Sequence, residues 1–303
     1  METSEILKQI HLPDKETHKG QNGKLMVIGG SHFFHAASLW SLKIATRIVD
    51  LVHYSSVSEN NRIVHKLKEK FQDGIVIPRK DIEKYIEEDD AIVIGPGMVR
   101  AEGAEIHSSH LSNLTNVADI LAIEDEGVQT YFLTKYLLKK YSQKKWVIDA
   151  GALQMMDLAD IPPKSILTPH FGEFERLLAK VESPRTSQQL KMMLLEDQVK
   201  WLAKQYSCIV LLKGKQDFIA GNGEFEKVTG GNPGMSKGGT GDVLAGLVGA
   251  LYAKNEPWVS ALSASILNKR AGDDLYEKMG FWFNASDLAD QIPVTMKRLI
   301  INQ

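Results

Sequence analysis

Short apolar runs alternate with longer helical patterns along most of the chain. Apolar runs of this length are typical of strands that are buried on both faces of a parallel sheet. The helical stretches between them would cover those two faces. The alternation therefore predicts an α/β fold with a largely parallel central sheet that is flanked by helices on both faces. The predicted parallel strands are residues 24–28, 48–54, 74–77, 91–94, 146–148, 165–167 and 208–212.

An Asn-Gly turn predicts a hairpin after the last of these strands. Residues 218–220 and 225–228 flank Gly221-Asn222-Gly223, and Asn-Gly supplies the positive φ angles that a tight reversal needs. Because no repeat or linker interrupts the pattern, we expect residues 1–303 to form a single domain, with residues 1–18 as an N-terminal extension. The predicted helices are residues 36–47, 59–71, 127–141, 172–180, 187–206, 243–253, 257–278 and 284–299.

Composition excludes several classes of partner. A formal net charge of -2 provides no basic field for nucleic acid or an anionic membrane. The single cysteine, Cys208, cannot form an internal disulfide and lies in an apolar run, so it is assigned to packing. The N-terminus lacks the apolar core of a signal peptide, and no uncharged stretch reaches the roughly 20 residues that span a bilayer. We therefore expect a cytoplasmic protein.

The segment from Gly230 to Asp242 is the most informative part of the chain. It is rich in glycine and runs into the apolar stripe of the helix predicted at residues 243–253. A glycine-rich loop that opens a buried helix aims unpaired N–H groups outward, at the positive end of the helix dipole. This arrangement is suited to phosphate. The sequence therefore predicts a nucleotide polyphosphate site at Gly238, Gly239, Thr240 and Gly241.

Asp242, which follows these glycines, has two interpretations. It could be a helix N-cap, a role worth about 1 kcal/mol, or a base that takes a proton from a substrate hydroxyl beside the phosphate. A carboxylate repels phosphate, so a purely capping Asp242 would weaken the anion site. The catalytic interpretation is therefore favoured. Two other glycine-rich motifs are rejected. The hydrolase pattern G-x-S-x-G requires a strand directly before its serine, and no strand precedes Ser236. A Walker loop requires a glycine before its lysine, and Ser236 stands at that position.

Several motifs, taken in sequence order, resemble the ADP- or ATP-dependent NAD(P)H-hydrate dehydratases of the ribokinase-like superfamily. The resemblance implies a ribokinase-like fold and a repair reaction on hydrated NADH or NADPH. The ring hydroxyl is phosphorylated by ADP or ATP, and phosphate then leaves as the active cofactor is restored. The motifs are His18-Lys19-Gly20-Gln21-Asn22-Gly23, Gly29-Gly30-Ser31, Gly95-Pro96-Gly97, Ile148-Asp149-Ala150, Leu167-Thr168-Pro169-His170, Leu212-Lys213-Gly214, Gly231-Asn232-Pro233-Gly234 and Gly238-Gly239-Thr240-Gly241-Asp242.

The resemblance also implies roles for individual residues. Asp242 would be the catalytic base, and Mg²⁺ would accompany the ADP or ATP co-substrate, with Glu173 reaching the metal through water. The hydrate site would be lined by Ala36, Gly97, His170 and Asp242. The nucleotide would contact Lys213, Gly214, Lys215, Gln216 and Asp217, together with Gly238, Gly239, Thr240 and Gly241. The resemblance also implies a homo-oligomer, which is often a tetramer in this family, and a separate epimerase as a partner.

Two of these residues keep alternative interpretations. His170 could be a helix-entry residue that is bonded to backbone rather than to ligand. Lys213 could be an exposed charge at a strand end rather than a phosphate contact. The histidine pairs His32/His35 and His107/His110 have helical spacing, but without cysteines or a third ligand they do not predict a metal site.

The chain departs from the family pattern mainly in loops that would face ligands. Gly151 replaces a second Asp, and Phe171 replaces a proline. Asp217 replaces a small hydroxyl-bearing residue, so its carboxylate would bring extra negative charge to the nucleotide site. His35 and Val99 replace glycines. The phosphate chemistry is therefore better supported than the acceptor. A small-molecule alcohol kinase of the same superfamily and a nucleotide-binding protein without turnover remain as alternatives.

Overall fold

A computed structural model describes residues 3–101, 116–181 and 183–301. Nine strands form one sheet in the order β3-β2-β1-β4-β5-β6-β7-β8-β9. Strands β1 to β7 pair in parallel, whereas β8 and β9 are antiparallel and form the predicted hairpin. The strands are β1 Lys24–Ile28, β2 Leu51–Ser55, β3 Ile75–Val76, β4 Ala91–Ile94, β5 Lys145–Ile148, β6 Ile166–Leu167, β7 Ile209–Leu212, β8 Asp217–Gly221 and β9 Glu224–Val228.

Helices cover both faces of the sheet, as predicted. Successive residues of a strand point to opposite faces, so Leu25 and Val27 join one hydrophobic core while Met26 and Ile28 join the other. Helices α2, α11, α12 and α13 pack on the first face, and α4, α6, α8 and α10 on the second. The helices are α1 Thr3–Leu7, α2 Ala36–Ala45, α3 Ser58–Leu67, α4 Ile82–Glu88, α5 Val117–Leu121, α6 Glu126–Lys140, α7 Ala150–Met155, α8 Phe171–Ala179, α9 Pro184–Met192, α10 Leu195–Gln205, α11 Thr240–Lys254, α12 Pro257–Met279 and α13 Ala285–Met296.

The strand order reverses at β1, because the chain adds β2 and β3 on one side and β4 on the other. In open parallel sheets the ligand crevice lies at such a switch point, beyond the carboxyl ends of the strands. The loops after β1 and β4 meet here, and the N–H of Gly30 donates to the carbonyl of Pro96 at 2.7 Å. The topology thus places two of the glycine loops in one crevice.

The helix predicted at residues 187–206 is two helices in the structure. Met193 and Leu194 are extended and separate α9 from α10. The Gln198 side chain donates to the carbonyls of Leu190 and Met193 at the interruption, where Leu190 also accepts from the Met193 N–H at 3.0 Å. Since the break contains neither glycine nor proline, local sequence does not reveal it. Among the described helices, none is long and apolar enough to cross a membrane.

Residues 6, 7 and 10, within the predicted N-terminal extension, belong to the core. Ile6 and Leu7 in α1 are almost completely buried, and Ile10 is buried as well. Helix α1 contacts α12. The boundary expected at residue 18 therefore does not mark the edge of the packed structure.

Candidate active site

Asp149 and Lys213 form a buried ion pair at the carboxyl ends of the central strands. Asp149 directly follows β5 and Lys213 directly follows β7. The Asp149 Oδ1 accepts hydrogen bonds from the Lys213 Nζ and the Thr168 Oγ1, both at 2.8 Å. Only 2% of the Asp149 side chain and 16% of the Lys213 side chain are exposed. The interpretation of Lys213 as an exposed strand-end charge is therefore wrong.

The Lys213 ammonium lies beside the first turn of α11. A β-carbon at Gly241 would be 3.4 Å from the Lys213 Nζ. Burial lowers the pKa of Lys213, but the carboxylates of Asp149, Glu173 and Asp242 outweigh it and raise that pKa above its ordinary value. The amine is therefore charged at neutral pH. Together with the positive end of α11, it can stabilise an anion at this turn.

Asp242 lies in the first turn of α11, near this ion pair. Gly239 is the N-cap, so the interpretation of Asp242 as the N-cap is wrong. The Asp242 backbone carbonyl accepts a hydrogen bond from the Ser41 Oγ of α2 at 2.7 Å. Burial, then the negative charge of Asp149, raises the pKa of the Asp242 carboxyl to about 7, although Lys213 opposes the shift. A carboxylate with this pKa can accept a proton near neutral pH.

Gly239 requires glycine for two independent reasons. Its φ of 96° is in the left-handed region, and a β-carbon there would lie 2.7 Å from the Cη2 of Trp40. A β-carbon at Gly238 would meet nothing within 4 Å. The Thr240 Oγ1 donates to the carbonyls of Met235 and Lys237 at 2.6 and 3.0 Å, so the hydroxyl closes the turn rather than pointing to a ligand.

His170 is the N-cap of α8, which is the helix-entry interpretation of this residue. Its Nδ1 accepts from the N–H groups of Gly172 and Glu173 at 3.1 and 3.4 Å. Because Nδ1 accepts, the proton of the neutral ring is on Nε2. The imidazole is 57% exposed, and its Nε2 is 3.6 Å from the Glu173 Oε2. Capping therefore leaves one N–H of the ring able to contact a ligand.

Glu173 is a buried member of the same acidic cluster. One carboxylate oxygen accepts a hydrogen bond from the Gln154 Nε2 at 3.1 Å, and the other accepts one from the backbone N–H of His170 at 2.9 Å. Burial and the charge of Asp149 raise the pKa of Glu173. The repulsion between these carboxylates is the condition that a divalent cation would relieve.

The loops after β1 and β4 bring Ala36 and Gly97 together. Ala36 is the first residue of α2. Gly97 has a φ of 74°, and a β-carbon there would be 2.9 Å from the Phe34 carbonyl oxygen and 3.0 Å from the Ala37 Cβ. Gly97 is thus packed against the start of α2, whose later residue Ser41 bonds to Asp242. The hydrate-site residues predicted in these two loops are therefore neighbours.

Asp217 does not bring unpaired negative charge to the nucleotide site. Its carboxylate is buried and is 3.1 Å from the Lys269 Nζ, while the Ser265 Oγ donates to it at 2.7 Å. The Asp217 Oδ1 also accepts from the Gly214 N–H at 2.9 Å. Lys269 bonds in turn to the Gly214 and Lys215 carbonyls. Asp217 therefore shapes the turn from Lys213 to Gln216, and the expected excess charge is neutralised.

Gly151 is required by its neighbours in this chain. A β-carbon there would lie 2.6 Å from the Met98 carbonyl carbon. An aspartate at this position would displace the loop that follows β4. The departure at Gly151 is thus a consequence of how the loop after β4 packs.

Four residues support the site without a role having been predicted for them from the sequence. Asp149 and Thr168 had a usable signal, since each lies in a motif of the family resemblance and follows a predicted strand at the same sheet edge as Lys213. Ser41 and Lys269 had none, because each acts through contacts with distant segments. The Nδ1 atoms of His32 and His35 contact Glu59 and Asn60. His107 and His110 lie outside the described residues.

Mg²⁺ is compatible with this donor set when a polyphosphate is bound. Within residues 3–101, 116–181 and 183–301, no three histidine, cysteine or acidic side chains are arranged so that they could hold a metal ion by themselves. Mg²⁺ commonly keeps several waters and binds through one or two carboxylates and phosphate oxygens. Glu173 is the carboxylate available for that purpose near Asp242.

Comparison with known proteins agrees with this geometry. The sequence model of the NAD(P)H-hydrate dehydratase family matches residues 25–294. The ADP-dependent (S)-NAD(P)H-hydrate dehydratase of Nitrosopumilus maritimus is 32% identical over 318 residues, which cover 97% of this chain and 96% of that protein. The bifunctional NAD(P)H-hydrate repair enzyme of Methanocaldococcus jannaschii is 32% identical over 96% of this chain, which spans only 51% of that protein.

Solved structures support the same fold. A ribokinase-like protein of Enterococcus faecalis has a TM-score of 0.74 and 22% identity, covering 98% of this chain and 95% of that one. The ADP/ATP-dependent NAD(P)H-hydrate dehydratase of Bacillus subtilis, co-crystallised with ATP and Mg²⁺, has a TM-score of 0.71 and 22% identity over 98% of this chain and 97% of its own. The fold is ribokinase-like, and the chain belongs to the NAD(P)H-hydrate dehydratase family.

Proposed function

We propose that this protein is an ADP-dependent dehydratase that restores NADH or NADPH from its hydrate. The observation that carries the proposal is the position of Asp242, a carboxylate with a pKa of about 7, in the first turn of a glycine-capped helix beside Lys213. A base and an anion site are thereby adjacent. Phosphoryl transfer to a hydroxyl requires this combination.

In the proposed reaction, the oxygen of the ring hydroxyl bonds to the terminal phosphorus of ADP, and the Asp242 carboxylate accepts the proton of that hydroxyl. AMP is the leaving group of this step. The phosphorylated ring then loses inorganic phosphate and a ring proton, which restores the dihydropyridine. Hydroxide is a poor leaving group, and phosphate is a better one. The N–H groups of Gly239 and Gly241, with the Lys213 ammonium, would stabilise the charge that develops on phosphate.

The remaining site residues have supporting roles in this proposal. Ala36, Gly97 and the His170 Nε2–H would contact the hydrate. The turn Gly214, Lys215 and Gln216, which Asp217 holds in place, would contact the nucleotide. Mg²⁺ would neutralise charge on the polyphosphate and would be held there by Glu173 through water.

ADP is proposed as the phosphoryl donor because two relatives that match nearly the whole chain are named as ADP-dependent enzymes. The dehydratases of Nitrosopumilus maritimus and Cenarchaeum symbiosum are both named ADP-dependent and are both 32% identical to it. They are also named for the (S) hydrate. An epimerase that converts the other epimer is therefore the proposed partner activity. A homo-oligomeric state and a cytoplasmic location stay predictions.

The test mixes the purified protein with NADH hydrate, Mg²⁺ and either ADP or ATP, and follows the absorbance of reduced nicotinamide. We expect a rise with ADP, and its loss in Asp242→Asn. Asp290→Asn is the matched control, since Asp290 is an exposed carboxylate on α13 that pairs with Lys43. No rise with either nucleotide, while ADP still raises the melting temperature, would reject the hydrate as acceptor and favour an alcohol kinase.

A further inference from the structure

A groove of about 390 Å³ lies between the loop after β1 and helix α3. Small-ligand pockets are typically about 300–1,000 Å³, so the groove can hold a group of the size of a phosphorylated ribose. Its lining residues have no part in the proposed phosphoryl transfer. They are His32, His35, Glu59, Arg62, Ile63 and Lys66.

The groove presents two cations on one face of α3. Arg62 and Lys66 are four residues apart, a spacing that puts them on the same side of a helix. Glu59 is the single acid among the lining residues, and it is shared between the His32 Nδ1 and the Arg62 guanidinium, the latter at 3.7 Å. Apart from the histidines, the lining has two positive charges and one negative charge. Guanidinium and ammonium groups in this arrangement are suited to phosphate.

The histidine rings of the groove are held in place. The His35 Nδ1 contacts the amide oxygen of the buried Asn60, and the His32 Nδ1 contacts the Glu59 carboxylate. Both partner atoms can only accept, so each Nδ1 carries the proton. In the tautomer that carries its proton on Nδ1, Nε2 is an acceptor for a hydroxyl group. The lining thus combines cations for phosphate with acceptors for ribose hydroxyls.

The groove and the proposed acceptor site lie at the same helix, α2. His35 immediately precedes Ala36, and five residues later Ser41 bonds to the Asp242 carbonyl. At 1.5 Å per residue, Ala36 and Ser41 are separated by about 8 Å along the helix. A dinucleotide whose nicotinamide ring is at Asp242 is longer than this distance. Its adenosine end can therefore reach the loop that forms one wall of the groove.

We propose that this groove binds the 2′-phosphate of hydrated NADPH, with Arg62 and Lys66 as the phosphate contacts. The proposal rests on the dehydratase function proposed above. The 2′-phosphate is the group that distinguishes NADPH from NADH. The groove would thus make the enzyme prefer the phosphorylated hydrate.

The kinetic test compares kcat/KM for NADPH hydrate and NADH hydrate in the wild type and in the double variant Arg62→Ala/Lys66→Ala. We expect the value for NADPH hydrate to fall about 10- to 100-fold, while that for NADH hydrate changes less than about twofold. The KM for ADP should not change. The charge-matched control is Lys191→Ala/Lys204→Ala on α9 and α10, which should leave both values unchanged.

A binding test separates this proposal from the proposed function. Calorimetry compares adenosine 2′,5′-bisphosphate with 5′-AMP, and needs no turnover. We expect the bisphosphate to bind more tightly than 5′-AMP to the wild type, and this advantage to disappear in Arg62→Ala/Lys66→Ala. An unchanged advantage, an equal fall in kcat/KM for both hydrates, or a raised KM for ADP would each overturn the 2′-phosphate assignment. Absence of turnover in the wild type, with the binding difference intact, would instead reject the dehydratase function alone.

Discussion

At the scale of single residues, the site depends on charges that are buried together. Asp149, Glu173 and Asp242 would repel one another without Lys213, whose ammonium is bonded to Asp149 at 2.8 Å. Burial and then the charge of Asp149 raise the pKa of Asp242 to about 7, whereas the neighbouring carboxylates raise the pKa of Lys213 against the effect of its burial. One carboxylate is thus kept as the partner of the lysine, while another is left as a base.

The pKa of Asp242 predicts how activity depends on pH. A base must be deprotonated, so kcat/KM should rise with pH and level off above about 7, where Asp242 is ionised. Asp242→Asn should lower turnover at least about 100-fold at all pH values. A pH–rate profile of the wild type checks the first expectation. A profile that is flat between about pH 6 and 8 would contradict the assignment of Asp242 as the base.

The same shift predicts a gain in stability in Asp242→Asn. The folded pKa of Asp242 is raised, so the folded state keeps this proton between the ordinary carboxyl pKa and about 7. Wild-type stability should fall as pH rises through that window. Above it, Asp242→Asn should be more stable than the wild type by about 1–3 kcal/mol. Urea unfolding at about pH 5 and 8 measures the difference, which should shrink at the lower pH.

At the scale of elements, the entry to α11 depends on one backbone conformation and one close approach. Gly239 has a left-handed φ and lies against Trp40 of α2. Helices α2 and α11 therefore pack closely at the end that carries Asp242. The glycine turn determines both where the helix starts and how near α2 can come.

Gly239→Ala should destabilise the protein by about 2–4 kcal/mol, because it combines a strained φ with overlap of the Trp40 ring. Gly238→Ala is the matched control, since a β-carbon there meets nothing within 4 Å. Its free energy of unfolding should change by less than about 1 kcal/mol. Equal effects of the two substitutions in urea unfolding would show that the approach of Trp40 does not constrain the turn.

The link between β8 and α12 is a second element-scale contact. Lys269→Met would leave the buried carboxylate of Asp217 without its cation, and should cost about 3–5 kcal/mol. Adding Asp217→Asn removes the unpaired charge and should recover part of that loss. A double-mutant cycle in urea measures the coupling. If the two effects simply add, Asp217 and Lys269 do not act as a pair.

At the scale of the whole molecule, one sheet with two cores joins segments from both ends of the described chain. Helix α1 packs on α12, and Ile6 is 1% exposed within the core that also contains α11. Ile6→Ala should therefore lower the free energy of unfolding by about 2–4 kcal/mol. Leu12→Ala, at a side chain that is 46% exposed, is the control and should have little effect. A similar loss at both positions would contradict the burial of α1.

The strands and the phosphate turn were predictable from the sequence for a physical reason. A strand buried on both faces must be apolar throughout, and a tight turn that opens a helix must contain glycine, so both leave local signals. Every predicted strand is present, with ends that shift by at most a few residues. The break between α9 and α10 left no signal, because it contains neither glycine nor proline and is bridged by the amide side chain of Gln198 in the next helix.

What the sequence by itself determined is the α/β class, the order of the strands along the chain and the identity of Asp242 as the candidate base. Only the tertiary structure decided what surrounds that base. Lys213 and Asp149 form a pair although they are 64 positions apart in the sequence. Lys269 and Asp217 are 52 positions apart and belong to different layers, a helix and the sheet. Such pairs depend on strand order and helix packing, which bring distant charges into contact. Local sequence propensity does not depend on which distant residues come into contact, so the electrostatics of the site could be determined only from the tertiary structure.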